Sequence, residues 1–232
     1  MAIWNVNQIY EHLLWLTNKN QAGGISSDDF FYQWNTEQSS YQEDLLGRWQ
    51  RSGNGKTGAN TGIVLNQTMI QKLAPFTIAE TLTIVAGAVT KPSDFIYEVG
   101  LRINATGGTA GKKINKINHG QKSYVTESVI DAPSVANDLY YAIEYEDYYS
   151  LLPITVAGTV ELDYIAECRD IKWGYTFDAD GRQVYNAGTS IQPQWSKNTV
   201  IEITKRSLKS LGVHFKDKDF ENFGQTNILT GD

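Results

Sequence analysis

Residues 81–103 read TLTIVAGAVTKPSDFIYEVGLRI. Thr, Ile, Val, Phe and Tyr fit a pleated, half-buried surface, so the stretch reads as two β runs, 81–89 and 95–103. Lys91-Pro92-Ser93-Asp94 supplies the turn between them. Downstream, TVELDYIA (159–166) alternates as a strand. GYTFDADGRQVYNAG (174–188) reads as a hairpin turning at Asp178-Ala179-Asp180-Gly181. The segment 139–156, LYYAIEYEDYYSLLPITV, alternates at Leu139, Tyr141, Ile143 and Tyr145 but shows no turn signal before Pro153, so helix and strand both stay open.

Outside this region the period is helical. Asn5 can cap a first helix, with Val6, Ile9, Tyr10, Leu13 and Leu14 on one stripe and NKNQAGG as its stop. Ser26 and Asp29 form a capping pair for a second helix over 27–49, striped by Phe30, Trp34, Glu37/Gln38, Tyr41, Leu45 and Trp49. The short linker predicts that the two pair as a hairpin. Ser196 caps a last helix lined by Val200, Ile203, Thr204, Ser207, Leu208 and Leu211, with Gly212 as its stop. Residues 63–76 carry mixed signals.

The fold class expected is α+β: an N-terminal helical hairpin (1–50), a flexible glycine-rich loop (51–62), and a β-rich middle (63–196), an antiparallel sheet or sandwich. A C-terminal helix (197–213) packs with the N-terminal helices, and an extended docking tail (214–232) follows. Together they make one structural domain. The segment 104–122, with Lys112, Lys113, Lys116 and Lys122, reads as an extended arm. The tail carries Phe215, Phe220 and Phe223 without period and is expected to dock on its own body or on a neighbour.

Composition narrows the function. With 20 basic and 26 acidic residues the net charge is −6, which argues against a general nucleic-acid binder. The single cysteine, Cys168, excludes an internal disulfide framework and reads as a small core residue. The N-terminus MAIWNVNQIY lacks a basic segment followed by an apolar run, so no Sec leader is expected. No run of 18 apolar residues predicts a membrane span.

The loop RSGNGKTGANTG (51–62) contains GNGKT, which resembles a phosphate-binding loop. The position five residues before Gly55 is Gln50 rather than the required Gly, and no strand precedes the loop. It reads as a glycine tether. His12, His119 and His214 form no metal-ligand spacing, and neither a G-x-S-x-G elbow nor a dinucleotide fingerprint is present. No catalytic residue, metal, cofactor or small-molecule substrate is therefore expected. A dispersed carboxylate site at Glu144 and Glu146 is the enzyme alternative. A carbohydrate- or receptor-binding tail fibre or spike module, stacking sugars on Trp173 or Trp195, is the binding alternative.

The order of parts also resembles a family. NKNQAGGISSDDFFYQWNTEQSSYQEDL (18–45), LDYIAECRDIKWGYT (162–176) and NTVIEITKRSLKSLGV (198–213) are similar to segments of virion proteins near the portal and tail of crAss-like and related Bacteroidetes phages. The chain departs from that pattern at Ile165–Arg169 and at Lys197-Asn198. The resemblance implies a non-enzymatic ring or head–tail connector, made in the bacterial host cytoplasm and resident in the neck or tail. It also implies a homo-oligomer of about twelve copies, stacked between portal and tail proteins around passing DNA that is bound without sequence preference. The candidate assembly contacts are Ile3, Trp4, Arg51, Lys56, Lys112, Lys113, Lys116, Phe215, Phe220 and Phe223.

Overall fold

The computed structural model describes residues 4–19, 26–53, 61–128 and 130–214. The chain divides into two compact units where one was expected: Met1–Pro75 with Cys168–Asp232, and Phe76–Glu167.

The first unit is built around a helix. Helix α1 (Val6–Lys19) starts at Asn5, whose Oδ1 accepts from Gln8 N–H at 2.8 Å while Gln8 Oε1 accepts from Asn5 N–H at 3.0 Å. That reciprocal box satisfies two otherwise orphaned donors. Helix α2 (Ser27–Gly53) starts at Ser26, whose Oγ accepts from Asp29 N–H. It spans about 40 Å at 1.5 Å per residue. Helix α3 (Thr61–Leu73) follows, so both ends of the expected glycine loop are helical and only 54–60 lie outside the described residues. Residues 63–76, mixed in their sequence signals, are helical to Leu73 and close on a 3-10 turn at Ala74–Phe76. Helix α5 (Lys197–His214) packs on α2 and continues through Gly212, which is no stop.

The backbone neighbours of α2 are α5 and α3. Phe30, Trp34, Tyr41 and Leu45 bury the expected stripe, against which Trp195, Val200 and Ile203 are also buried. Helix α1 meets α2 through Tyr10 and Phe31, with ring centroids 6.0 Å apart. The two-stranded hairpin of β9 (Tyr175–Phe177) and β10 (Gln183–Tyr185) belongs to this unit and turns where the sequence places it.

The second unit is a β-sandwich. One sheet has strand order β1-β8-β3-β4 and the other β2-β7-β6-β5. The strands are β1 (Thr77–Thr83), β2 (Ala88–Thr90), β3 (Phe95–Ala105), β4 (Lys112–Lys113), β5 (Asn115–Lys116), β6 (Tyr141–Glu144), β7 (Tyr148–Leu152) and β8 (Gly158–Ala166). Pairing is antiparallel except for β5 with β6. The open segment 139–156 is thus two strands. The inner faces supply one core, including Val89, Ile103, Tyr149, Leu151, Val160 and Leu162. Helix α4 (Lys122–Glu127) brings Val125 onto a second cluster around Tyr141, Ile143 and Leu152.

The chain crosses between the sheets four times, and two of these corners revise the sequence reading. The expected strand 81–89 is broken at Ala86-Gly87, both at positive φ (50° and 73°), where Val85 and Ala88 exchange 2.9 Å hydrogen bonds. Positive φ at both central residues defines the tight turn that matches strand twist. The other corner corrects the expected arm: within 104–122, β4 pairs with β3, Ile114 inserts into the core, and β5 crosses to β6.

Candidate functional site

A β-bulge builds the most concentrated charge cluster of the second unit. In β3 the register against β8 shifts between Glu98 and Gly100. Leu101 faces Leu162 and Ile103 faces Val160, both on the core side. The extra residue then sets Glu98, not Val99, opposite core-facing Tyr164. Bulges re-aim side chains in this way. Val99 turns outward and is exposed, while the Glu98 side chain is left only 14% exposed.

Four charges meet there. Lys116 Nζ lies 2.9 Å from Glu98 Oε2 and 2.8 Å from Glu144 Oε2. The approach to Glu98 makes an ion pair but falls outside hydrogen-bond angles. Lys91, its side chain only 8% exposed, donates to Glu144 Oε1 at 2.9 Å and to the Tyr145 carbonyl at 2.8 Å. Its ammonium also sits over the rings of Phe95 (4.7 Å) and Tyr149 (4.9 Å). An ammonium over an aromatic face is attracted by the ring quadrupole.

The protonation states follow. Burial pushes the Glu144 carboxyl up, but hydrogen bonds from Lys116 and Lys91 outweigh it and hold it below the ordinary carboxylate range. Burial works against the Lys116 ammonium, and the two glutamates more than restore it, leaving it raised. Burial, then the Glu98 carboxylate, pushes the Tyr149 phenol far up; its hydroxyl is buried without a hydrogen-bond partner. Tyr164 is pushed up to about 12 by burial and by its hydrogen bond to Asp94 at 3.0 Å. Glu144 is thus a fixed, paired anion. A general acid needs the opposite shift. Beside the cluster lies a cavity of about 380 Å³ lined by Thr90, Lys91, Pro92, Ser93, Phe95, Glu146 and Asp147.

The first unit has its own network. Tyr41 donates to Glu202 Oε2 at 2.7 Å, and Lys72 donates to both Tyr41 (2.7 Å) and Glu202 (3.0 Å). Arg206 stacks over the Tyr41 ring and pairs with Asp44. These contacts tie α2, α3 and α5 together. A row of amides does the same for the segment after Glu167: Asn35, Gln38 and Gln42 bond the backbone of Ile171, Arg169 and Cys168.

The expected assembly residues are scattered. Trp4 is half-buried and meets the His12 ring edge-on at 5.4 Å. Lys112 pairs with Asp138 at 3.4 Å and Lys116 is held in the bulge cluster; Lys113 is exposed. Two of the three lysines therefore hold the corner in place. Ile3, Lys56, Phe215, Phe220 and Phe223 and the Arg51 side chain lie outside the described residues. Trp195 is 1% exposed and donates to Gln38, while Trp173 is 6% exposed and donates to Asn7. Neither offers a free face for a sugar. Cys168 is buried, as expected of a core residue.

Sequence reasoning missed two surfaces. One is the outer edge of β1. Ile84 N–H bonds the Gly158 carbonyl, which fixes the even residues of β1 toward β8. The backbone groups of Ala79, Thr81 and Thr83 then point away from the sheet, and all three residues are exposed. The other is the aromatic run along the β9–β10 hairpin. Trp173 meets Tyr175 at 5.6 Å and Tyr175 meets Phe177 at 5.5 Å, ending in an exposed Phe177. Alternation in both stretches was legible, but not which strand would be left at a margin.

Among the described residues no group of acidic, His or Cys side chains could hold a metal ion, and no helix is long and apolar enough to cross a membrane. The chain matches no protein-family model, and comparison with curated proteins returns no match.

Proposed function

We propose that this chain is a structural ring subunit in the portal-proximal neck or tail of a tailed bacteriophage, joining portal and tail proteins around the DNA passage. The observation that carries the reading is the open edge of β1. Seven residues lie at the margin of a four-stranded sheet, exposed along nearly their whole length, with outward backbone groups at Ala79, Thr81 and Thr83. Solitary proteins blunt such edges with Lys, Pro or bulges. This one carries threonines and a single Glu80.

A closed ring needs two unlike lateral surfaces on each subunit. The β1 edge in one unit and the β9–β10 hairpin in the other are unlike surfaces of that kind. A two-stranded hairpin alone is marginal in water, and an added strand stabilises it. Pairing of Lys112 and Lys116 with acids leaves the corner near neutral, which suits a wall along which DNA slides rather than one that grips.

The test is light scattering and negative-stain imaging of the purified chain, alone and with portal and tail components. Rings of fixed symmetry, free or templated on the portal, are expected. A monomer that stays monomeric beside every other virion component overturns the reading.

A further inference from the structure

The sandwich of the second unit guards its margins unequally. Residues 95–100 of β3 have no neighbour on the β4 side, because β4 pairs with Arg102 and Ile103 alone. Two bulges break that margin, at Ile96 and Val99, and both residues are exposed. In the other sheet the marginal strands β2 and β5 hold three and two residues. Strand β1 has neither device: its register with β8 runs unbroken from Thr77 to Thr83. Bulges and short strands keep an edge from pairing, so β1 is the margin left competent to pair.

We infer that β10 of a second copy adds antiparallel to β1, with Gln183 beside Thr81 and Tyr185 beside Ala79; this names the lateral partner within the ring reading, on which it rests.

Backbone direction selects β10. Within the hairpin, Asp178 N–H donates to the Arg182 carbonyl and Asn186 N–H to the Gly174 carbonyl. Residues 182, 184 and 186 therefore bond toward β9, and the backbone groups of Gln183 and Tyr185 point away from it. Tyr175 and Phe177 of β9 also point outward, but on that flank Asn35 of α2 already bonds Ile171. Gln183 and Tyr185 are spaced as Thr81 and Ala79 are, so both pairs can exchange two hydrogen bonds. Two β1 edges joined through Ala79 and Thr81 would instead set Glu80 against Glu80, and like charges directly opposite repel.

Side chains select the register. Glu80 is the one charge of β1, and Arg182, exposed, is the one cation from Tyr175 to Tyr185. With Gln183 beside Thr81, Arg182 lies diagonal to Glu80, within reach of a long side chain. Val184, 47% exposed, falls between Leu82 and the 37% exposed Ile78, on the face that packs into the sandwich core. Sliding β10 by two residues toward Thr83 sets Arg182 opposite Ile84, out of reach of Glu80. Sliding it the other way sets Thr81 against Gly181, whose N–H is already taken by the Asp178 carbonyl.

The test mixes two full-chain variants, Glu80→Cys and Val184→Cys, under the conditions in which the parent forms rings, free or on the portal, and oxidises them mildly. The two positions make a non-hydrogen-bonded pair with Cα atoms about 4.5 Å apart, within disulfide range. Cys168 is buried, and each variant alone reports background. A mixed disulfide dimer is expected, at least tenfold above that background and above the yield with Ile78→Cys or Leu82→Cys in place of Glu80→Cys. Glu80→Arg and Arg182→Glu should each lower ring yield at least fivefold, and the doubly changed chain should recover it. Circular dichroism checks that each variant is folded. Rings without the mixed crosslink, a crosslink that favours Ile78→Cys or Leu82→Cys, or no recovery by the double change overturns the inference and leaves the ring reading standing. A parent chain that forms no ring, free or on the portal, removes both.

Discussion

Asn35 and Ile171 exchange two hydrogen bonds, the side-chain Oδ1 accepting from Ile171 N–H at 3.0 Å and Nδ2 donating to its carbonyl at 3.1 Å. The amide acts as a strand neighbour on one side of this extended segment, while Lys172 bridges Ile191 on the other. Gln38 and Gln42 continue the row along one face of α2, bonding the Arg169 carbonyl and the Cys168 N–H. A helix thereby satisfies backbone groups that are otherwise orphaned at the margin of the first unit.

Removing one rung should be costly. Asn35→Leu keeps the branched shape but leaves an N–H and a carbonyl of Ile171 unpaired, each costing about 1–3 kcal/mol where water is excluded. Asn35 is half-buried, so a loss of about 2 kcal/mol is expected in urea unfolding followed by circular dichroism. A change below about 0.5 kcal/mol would show that the row adds little.

The Ala86-Gly87 turn makes a second, local prediction. Ala86 holds φ 50°, a region that disfavours L side chains by about 1–2 kcal/mol and that Asn tolerates better. Ala86→Asn should stabilise by about 0.5–1 kcal/mol. Gly87→Ala should do the reverse by more, because its new Cβ would lie 2.5 Å from the Ile154 carbonyl oxygen. Thermal midpoints of the two variants should move in opposite directions.

Glu144 sets the pH behaviour of the bulge cluster. Its carboxyl is depressed in the folded state, so its contribution is present above the ordinary Glu value near 4.3 and is lost as pH falls through the lower folded value. Lys116 is raised, so its share is present below the ordinary Lys value near 10.4 and fades only above it. Both are in force at neutral pH. The Glu144 side chain is 43% exposed, so solvent screening limits the effect to about 1 kcal/mol. Glu144→Gln should lower the urea midpoint at pH 7, and the difference from the parent should shrink below pH 4. A gap that stays constant down to pH 3 would rule out the ionised pairing.

These cases show which parts of the molecule were legible. The caps at Asn5, Ser26 and Ser196 read correctly because donor and acceptor lie within one turn of each other. The hairpin turn at Asp178–Gly181 was equally local, with Gly181 at φ 76° where Gly is expected. Ala86 was not legible, since Ala carries no signal for positive φ. Nor was the fate of Lys112 and Lys116: an exposed-looking lysine reads as solvated until the fold brings Asp138, Glu98 and Glu144 to it. The bulge that aims Glu98 inward depends on register against a strand far along the chain, and alternation alone cannot set it.

The open edge of β1 yields the prediction that separates folding from assembly. Thr81 N–H faces away from β8, whereas the inward groups belong to residues such as Glu80 and Leu82. Proline at position 81 therefore removes an outward donor and leaves the β8 ladder intact, as edge strands allow. Leu82→Pro removes an inward donor instead and should unfold the sandwich, by about 3 kcal/mol or more. Thr81→Pro should keep the circular dichroism of the parent and its urea midpoint within about 1 kcal/mol, yet form none of the rings proposed for the parent when assayed by sedimentation and imaging. Should Thr81→Pro assemble as readily as the parent, the lateral contact must lie elsewhere on the subunit. The β9–β10 hairpin, through Phe177→Ser, would then be the surface to change first.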